Sequence, residues 1–104
     1  MPSVASVPGL RWLGHSCVLL EGPPAVYLDP WRLEDRERLP PAALVLVTHA
    51  HFDHCSPESV ARVAGEGTLV AGPPDALALL PGFRRLPVAP GDAFTEAGVR
   101  VRVL

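Results

Sequence analysis

The chain has 104 residues, 48% hydrophobic and 19% charged, with a net charge of −2. This is the composition of a single globular domain, too short for two. With no basic stripe and only three Phe, one Tyr and two Trp, it argues against gripping nucleic acid through charge or stacking, and no apolar run approaches the roughly 18 residues of a membrane span.

Met1 to Pro8 carries neither a charged start nor a sustained apolar stretch, so no secretory signal is expected. Leu10 to Leu13 reads as a strand, Cys17 to Glu21 as a second, and Gly22-Pro23-Pro24 as the turn into a third from Ala25 to Leu28. These three form a β-meander. Trp31 to Leu39 is densely charged with mixed signs and is expected to be a solvated loop or short helix, ended by Pro40-Pro41. Leu44 to Val47 is apolar throughout, as befits a central strand covered on both faces.

Ser56-Pro57-Glu58 is a helix start, with a Ser cap, Pro at the first position and an acid in the first turn, so a helix is expected from Pro57 to about Ala64. Gly65-Glu66-Gly67 reads as a turn, Thr68 to Ala71 as a strand and Asp75 to Leu80 as a short helix. Val99 to Leu104 alternates Val with Arg, a period-two strand. Arg100 and Arg102 fit a solvated face, with a phosphate or carboxylate grip as the alternative. Strands alternating with helices place the chain in the α/β class. The two cysteines, Cys17 and Cys55, have no metal-ribbon or ladder spacing, which suits a reducing cytoplasm.

The stretch that carries chemistry is Thr48-His49-Ala50-His51-Phe52-Asp53-His54, directly behind the central strand. In an extended segment His49, His51 and Asp53 leave one side about 7 Å apart. His54 breaks that parity and joins them only if the chain curls after Asp53, which the following helix start supplies. Imidazole nitrogen and carboxylate oxygen are ligands for zinc and its borderline neighbours manganese and iron. The spacing suits two ions, His49 and His51 serving one, Asp53 and His54 the other. The competing reading is a polar loop of packed and surface histidines, which four ligand-type side chains in six positions make the weaker of the two. Cys55, next to His54, is either a further soft ligand or a small buried hydrophobe. His15, at a strand junction before the hairpin, either lines the cleft and meets substrate or is satisfied in its turn; Trp12 and Trp31 are expected to pack in the core or at its rim.

This motif, with Trp12-Leu13-Gly14-His15-Ser16 and Val26-Tyr27-Leu28-Asp29-Pro30-Trp31, resembles the metallo-β-lactamase fold and its metal-dependent hydrolase branch, which includes relatives of L-ascorbate-6-phosphate lactonase. The resemblance implies the N-terminal half of an αβ/βα sandwich, with a dinuclear centre held in part by His49, His51, Asp53 and His54. It implies that Asp53 and His54 act closest to the reacting atoms, and that Asp29 is a ligand or a carboxylate supporting one. It also implies a further histidine, a bridging aspartate and a last histidine, yet no histidine follows His54. The chain therefore holds half a site. The expected activity is metal-assisted hydrolysis of an ester, lactone, amide or phosphodiester in a small molecule, the alternative being a non-catalytic fragment or association module. A single partial domain over residues 1–104 further suggests self-association, or a second chain that completes the fold.

Overall fold

The computed structural model describes residues 9–51 and 54–104, so the reading of Met1 to Pro8 lies outside the described residues. Three antiparallel strands open the chain, β1 (Leu10–Gly14), β2 (Cys17–Leu20) and β3 (Val26–Leu28). They are the expected meander. The β1–β2 turn is only His15-Ser16 long, with His15 at φ 51, a left-handed conformation that His tolerates better than most side chains.

From β3 the sheet turns parallel. β4 (Ala42–Leu46) lies beside β3, β5 (Ala64–Gly72) beside β4 and β6 (Arg84–Pro87) beside β5, giving the order β1-β2-β3-β4-β5-β6. The β4–β5 crossover carries helix α1 (Pro57–Val63), capped by Ser56, whose hydroxyl accepts from Ser59 N at 3.3 Å. Helix α2 (Pro74–Leu77) is shorter than expected; the chain beyond it tightens into turns, with Leu79 N donating to Ala76 O and Leu80 N to Leu77 O, each at 3.0 Å.

Residues 31–39 are irregular rather than helical. The stretch read as a Gly65-Glu66-Gly67 turn belongs to β5. Register there jumps from Ala42 opposite Ala64 to Leu44 opposite Leu69, so the extra residues bulge from the strand. Thr68 anchors the bulge, its hydroxyl accepting from Gly65 N at 2.8 Å and donating to Ala42 O at 2.5 Å.

Alternation along the parallel strands sorts side chains onto two faces. Leu19, Tyr27, Val45 and Val70 face α1 and α2 and pack with Leu33, Val60, Val63 and Leu77. Full burial of such side chains stabilises by about 1.5–3 kcal/mol each. Val26, Leu44 and Leu69 face the other way, against Phe94, Val99 and Val101 of a separate hairpin, β7 (Ala93–Glu96) and β8 (Val99–Arg102). Helices, a mixed sheet and a strand pair thus stack in layers. Arg100 and Arg102 are exposed on β8, as alternation requires. No helix among the described residues is long and apolar enough to cross a membrane.

Candidate metal centre

Parallel strands end side by side, and the chain leaving β3 and β4 builds the site at that edge. Asp29 follows β3, and its N–H donates to Leu46 O at 2.8 Å, extending the ladder one residue. Val47 N likewise donates to Ala71 O at 2.9 Å, tying the exit of β4 to β5. This packing is close: a Cβ on Gly72 would stand 2.8 Å from Val47 O, nearer than real contacts allow. Glycine there lets β5 hold the backbone that launches the metal loop.

Asp29 is 5% exposed and has φ 47. Its Oδ1 accepts from Thr48 N at 2.7 Å, and its Oδ2 from the Thr48 hydroxyl at 2.7 Å and from His54 Nδ1 at 2.9 Å. The Thr48 hydroxyl also lies 2.7 Å from His49 Nδ1. With its one proton directed to Asp29, that oxygen is left to accept from His49 Nδ1–H. One buried carboxylate therefore places the ring proton of both histidines on Nδ1 and leaves Nε2 as the basic nitrogen of each.

The expected curl brings His54 in. His54 N and Cys55 N both donate to His51 O, at 2.9 and 2.8 Å. Asp29, His49 and His54 form a compact group whose ligand atoms lie within 4.8 Å of one another. The His49 and His54 rings are 4.6 Å apart between centroids. His51 stands outside this group, exposed and stacked at 6.0 Å and 15° on His49. Asp53 lies outside the described residues. Two imidazoles held beside a buried carboxylate suit zinc, which takes histidine nitrogen at about 2.0–2.1 Å.

His15 belongs to this edge too. Its ring is 5.9 Å from that of His54 and 4.9 Å from Trp31, and Trp12 Nε1 donates to its carbonyl at 2.8 Å. Trp31 is half-buried and lies beneath the Arg32 guanidinium at 4.5 Å, whereas Trp12 is 56% exposed and forms the rim. Cys55 points away from the group: its thiol donates to Ala76 O at 3.4 Å, and burial, reinforced by Asp29 and Asp75, pushes its pKa up. It is the small buried hydrophobe of the two readings. Thr48 was visible in the motif, but sequence spacing assigned it no role. The signal that reveals one is a hydroxyl at a strand end, between a buried acid and a histidine.

Comparison with known proteins agrees with this layout. A model of the beta-lactamase superfamily domain matches residues 9–104. The UPF0173 metal-dependent hydrolase of Methanoregula boonei is 53% identical over 45 residues, covering 43% of this chain and 20% of that protein. That of Thermoplasma acidophilum is 30% identical over 98 residues, covering 88% of this chain and 43% of its own. A crystal structure of a protein described as a metal-dependent hydrolase from Parabacteroides distasonis superposes with a TM-score of 0.68 at 20% identity, over 82% of this chain and 39% of that one. The chain spans less than half the length of these relatives. With the family model spanning nearly all of it and the layered sheet shared with the solved relative, the chain belongs to the beta-lactamase superfamily.

Proposed function

We propose that this chain supplies the first half of the centre of a metal-dependent hydrolase, with His49 and His54 binding a divalent ion through Nε2. The observation that carries this reading is the carboxylate of Asp29, which fixes His54 directly and His49 through Thr48. Both Asp29 oxygens are already engaged, so Asp29 orients ligands rather than serving as one, the usual partner of a metal-ligating imidazole. His51, one stacking distance from His49, and Asp53, by its place in the motif, complete this half of the set. Zinc is the ion that the donor set suits best, with manganese and iron next. When bound, it lowers the pKa of a water toward neutrality and polarises the oxygen under attack.

The substrate is a small molecule with an ester, lactone, amide or phosphodiester bond, and the resemblance to the L-ascorbate-6-phosphate lactonase branch favours a lactone or ester. Two buried free thiols support a reducing, cytoplasmic setting. Further ligands come from outside residues 1–104, whether from more of the same polypeptide, a second chain or a second copy. Light scattering tests the last point, with a dimer or larger species expected.

Zinc titration against a chromophoric chelator tests the centre itself. Binding should be weaker than the roughly 10–16 kcal/mol of fully ligated structural zinc peptides, and His49→Ala or His54→Ala should reduce it at least about tenfold. Zinc affinity untouched by both substitutions would remove the proposal. Two tightly held equivalents in a monomer would remove its half-site character.

A further inference from the structure

The β7–β8 hairpin closes on the main sheet over only part of its face. Val26, Leu44 and Leu69 pack with Phe94, Val99 and Val101. One inward step further along each strand, at Leu28, Leu46 and Ala71, the two layers part around a cavity of about 490 Å³. The change from Leu69 to Ala71 on β5 leaves a methyl group where a longer side chain would intrude. Phe94 and Val101 form the opposite wall and, like Leu28 and Leu46, are half-buried, because the cavity leaves part of each uncovered. The remaining wall, from Val88 to Pro90 with Val103, is held by the backbone. Val88 N donates to Gly72 O at 2.9 Å, Val103 N to Asp92 O at 2.8 Å and Gly91 N to Val103 O at 2.8 Å, while Asp92 Oδ2 accepts from Ala89 N at 2.8 Å.

This cavity lies at the strand ends that also carry the metal loop, the edge at which open α/β sheets take ligands. The two share Thr48. Its hydroxyl donates to Asp29 Oδ2 and lies 2.7 Å from His49 Nδ1, so a corner of the cavity adjoins the atoms that orient the histidines. Among the described residues that line it, Thr48 and Arg102 carry the only polar side chains. A fixed, mainly apolar space with few polar groups, within the range of about 300–1,000 Å³, is what a small-molecule site requires. Its walls gain most from an occupant that removes apolar surface from water.

We propose that this cavity receives the apolar part of the substrate, so that the molecule hydrolysed is an ester or lactone bearing a hydrophobic chain or ring, its scissile bond lying past Thr48 toward the histidines. This deepens the metal-centre reading and rests on it for the bond that is cleaved, but the cavity can be measured without metal. The full chain, kept in chelator, is titrated with 1-butanol, 1-hexanol and 1-octanol, and separately with benzyl alcohol. These probes carry no charge, so Arg102 cannot draw them in. The Leu46 and Val101 methyls and the Thr48 amide are followed by NMR. Saturable shifts of all three signals are expected, with affinity rising about fourfold per methylene along the alkanols. A preference for 1-hexanol over benzyl alcohol would identify the occupant as a chain, and the opposite preference as a ring.

Val101→Phe and Val103→Phe, which fill the cavity from two of its walls, should each weaken 1-octanol binding at least about tenfold while zinc affinity stays at the wild-type value. Absence of saturable shifts, or full alkanol affinity in both variants, would overturn the proposal. So would shifts that leave Thr48 unmoved, since the cavity would then be separate from the centre. Alkanol affinity that falls as protein concentration rises, in step with a dimer in light scattering, would assign the groove to a second copy and overturn it as well. Zinc binding without alkanol binding defeats this inference alone; alkanol binding in a chain that takes no zinc defeats the metal centre alone.

Discussion

The edge where β3 and β4 end and the β7–β8 hairpin are built on opposite economies of burial. At the edge, each strand is apolar on both faces, the exit of β4 is locked to β5, and a buried carboxylate holds three donors. The hairpin turns one row inward, Phe94, Val99 and Val101, and leaves Thr95, Arg100 and Arg102 exposed. Its tie to the main sheet's edge strand is Arg84 with Glu96, a bidentate pair at 2.6 and 3.3 Å that keeps the guanidinium charged. Chemistry needs fixed geometry, and the molecule places its ligands where strands are covered twice rather than once.

Substitutions should separate the two regions. Asp29→Ala leaves Thr48 N–H, the Thr48 hydroxyl and His54 Nδ1 without their acceptor, and should cost about 3–5 kcal/mol in denaturant melts, with zinc affinity falling about 10–100-fold. A loss under about 1 kcal/mol would place these bonds with ordinary surface pairs and erase the contrast. Leu44→Ala opens a cavity in a fully buried position, for about 2–5 kcal/mol. Phe94→Ala, across the same interface but half-buried, should cost less; the reverse order in paired chemical melts would mean that the hairpin, not the sheet, organises this face.

Gly72→Ala forces a methyl against Val47 O and should destabilise by about 1–3 kcal/mol. Because Val47 leads into Thr48, it should also weaken zinc binding, which calorimetric titration reads; unchanged affinity would show that the loop does not depend on the grip of β5. The smallest effect is confined to alkali. Burial pushes the Tyr27 phenol from 10.0 up to about 12, so the folded chain keeps a proton that the unfolded chain releases. This contribution is intact below about pH 10 and is lost as pH rises toward about 12. Tyr27→Phe, which starts less stable for want of the 2.6 Å bond to Pro40 O, should lack that part of the alkaline decline; an identical decline would assign it to other groups.

The sequence disclosed the doubly covered region better than the singly covered one. Leu44 to Val47 is apolar at every position, and Ser56-Pro57-Glu58 spells a helix start, so β4, the loop and α1 were legible. β6 was hidden because Arg84-Arg85-Leu86-Pro87 is a largely exposed edge strand with a proline at its end. β7 was hidden by its turn. Ala97 and Gly98 both take positive φ, 52 and 82, the conformation of a two-residue hairpin loop that Asn-Gly usually signals and Ala-Gly does not. In the site, the histidines were legible from residue type and spacing, and Asp29 from the resemblance carried by Val26-Tyr27-Leu28-Asp29-Pro30-Trp31. What spacing withheld was the sharing of one carboxylate between two histidines through Thr48, and the stack that joins His54 to Arg32, because both depend on where separate strands end.

The two thiols, fully or nearly fully enclosed, give the fold its own clock. Cys17 opens β2 directly after the β1–β2 turn, close to Trp31 and Asp29, and Cys55 lies between the metal loop and α2. An alkylating reagent reaches either sulfur only when that region opens, so the labelling rate at each reports the opening frequency of its own surroundings. Metal that bridges His49 and His54 should slow the clock at Cys55, which directly follows His54 in the chain.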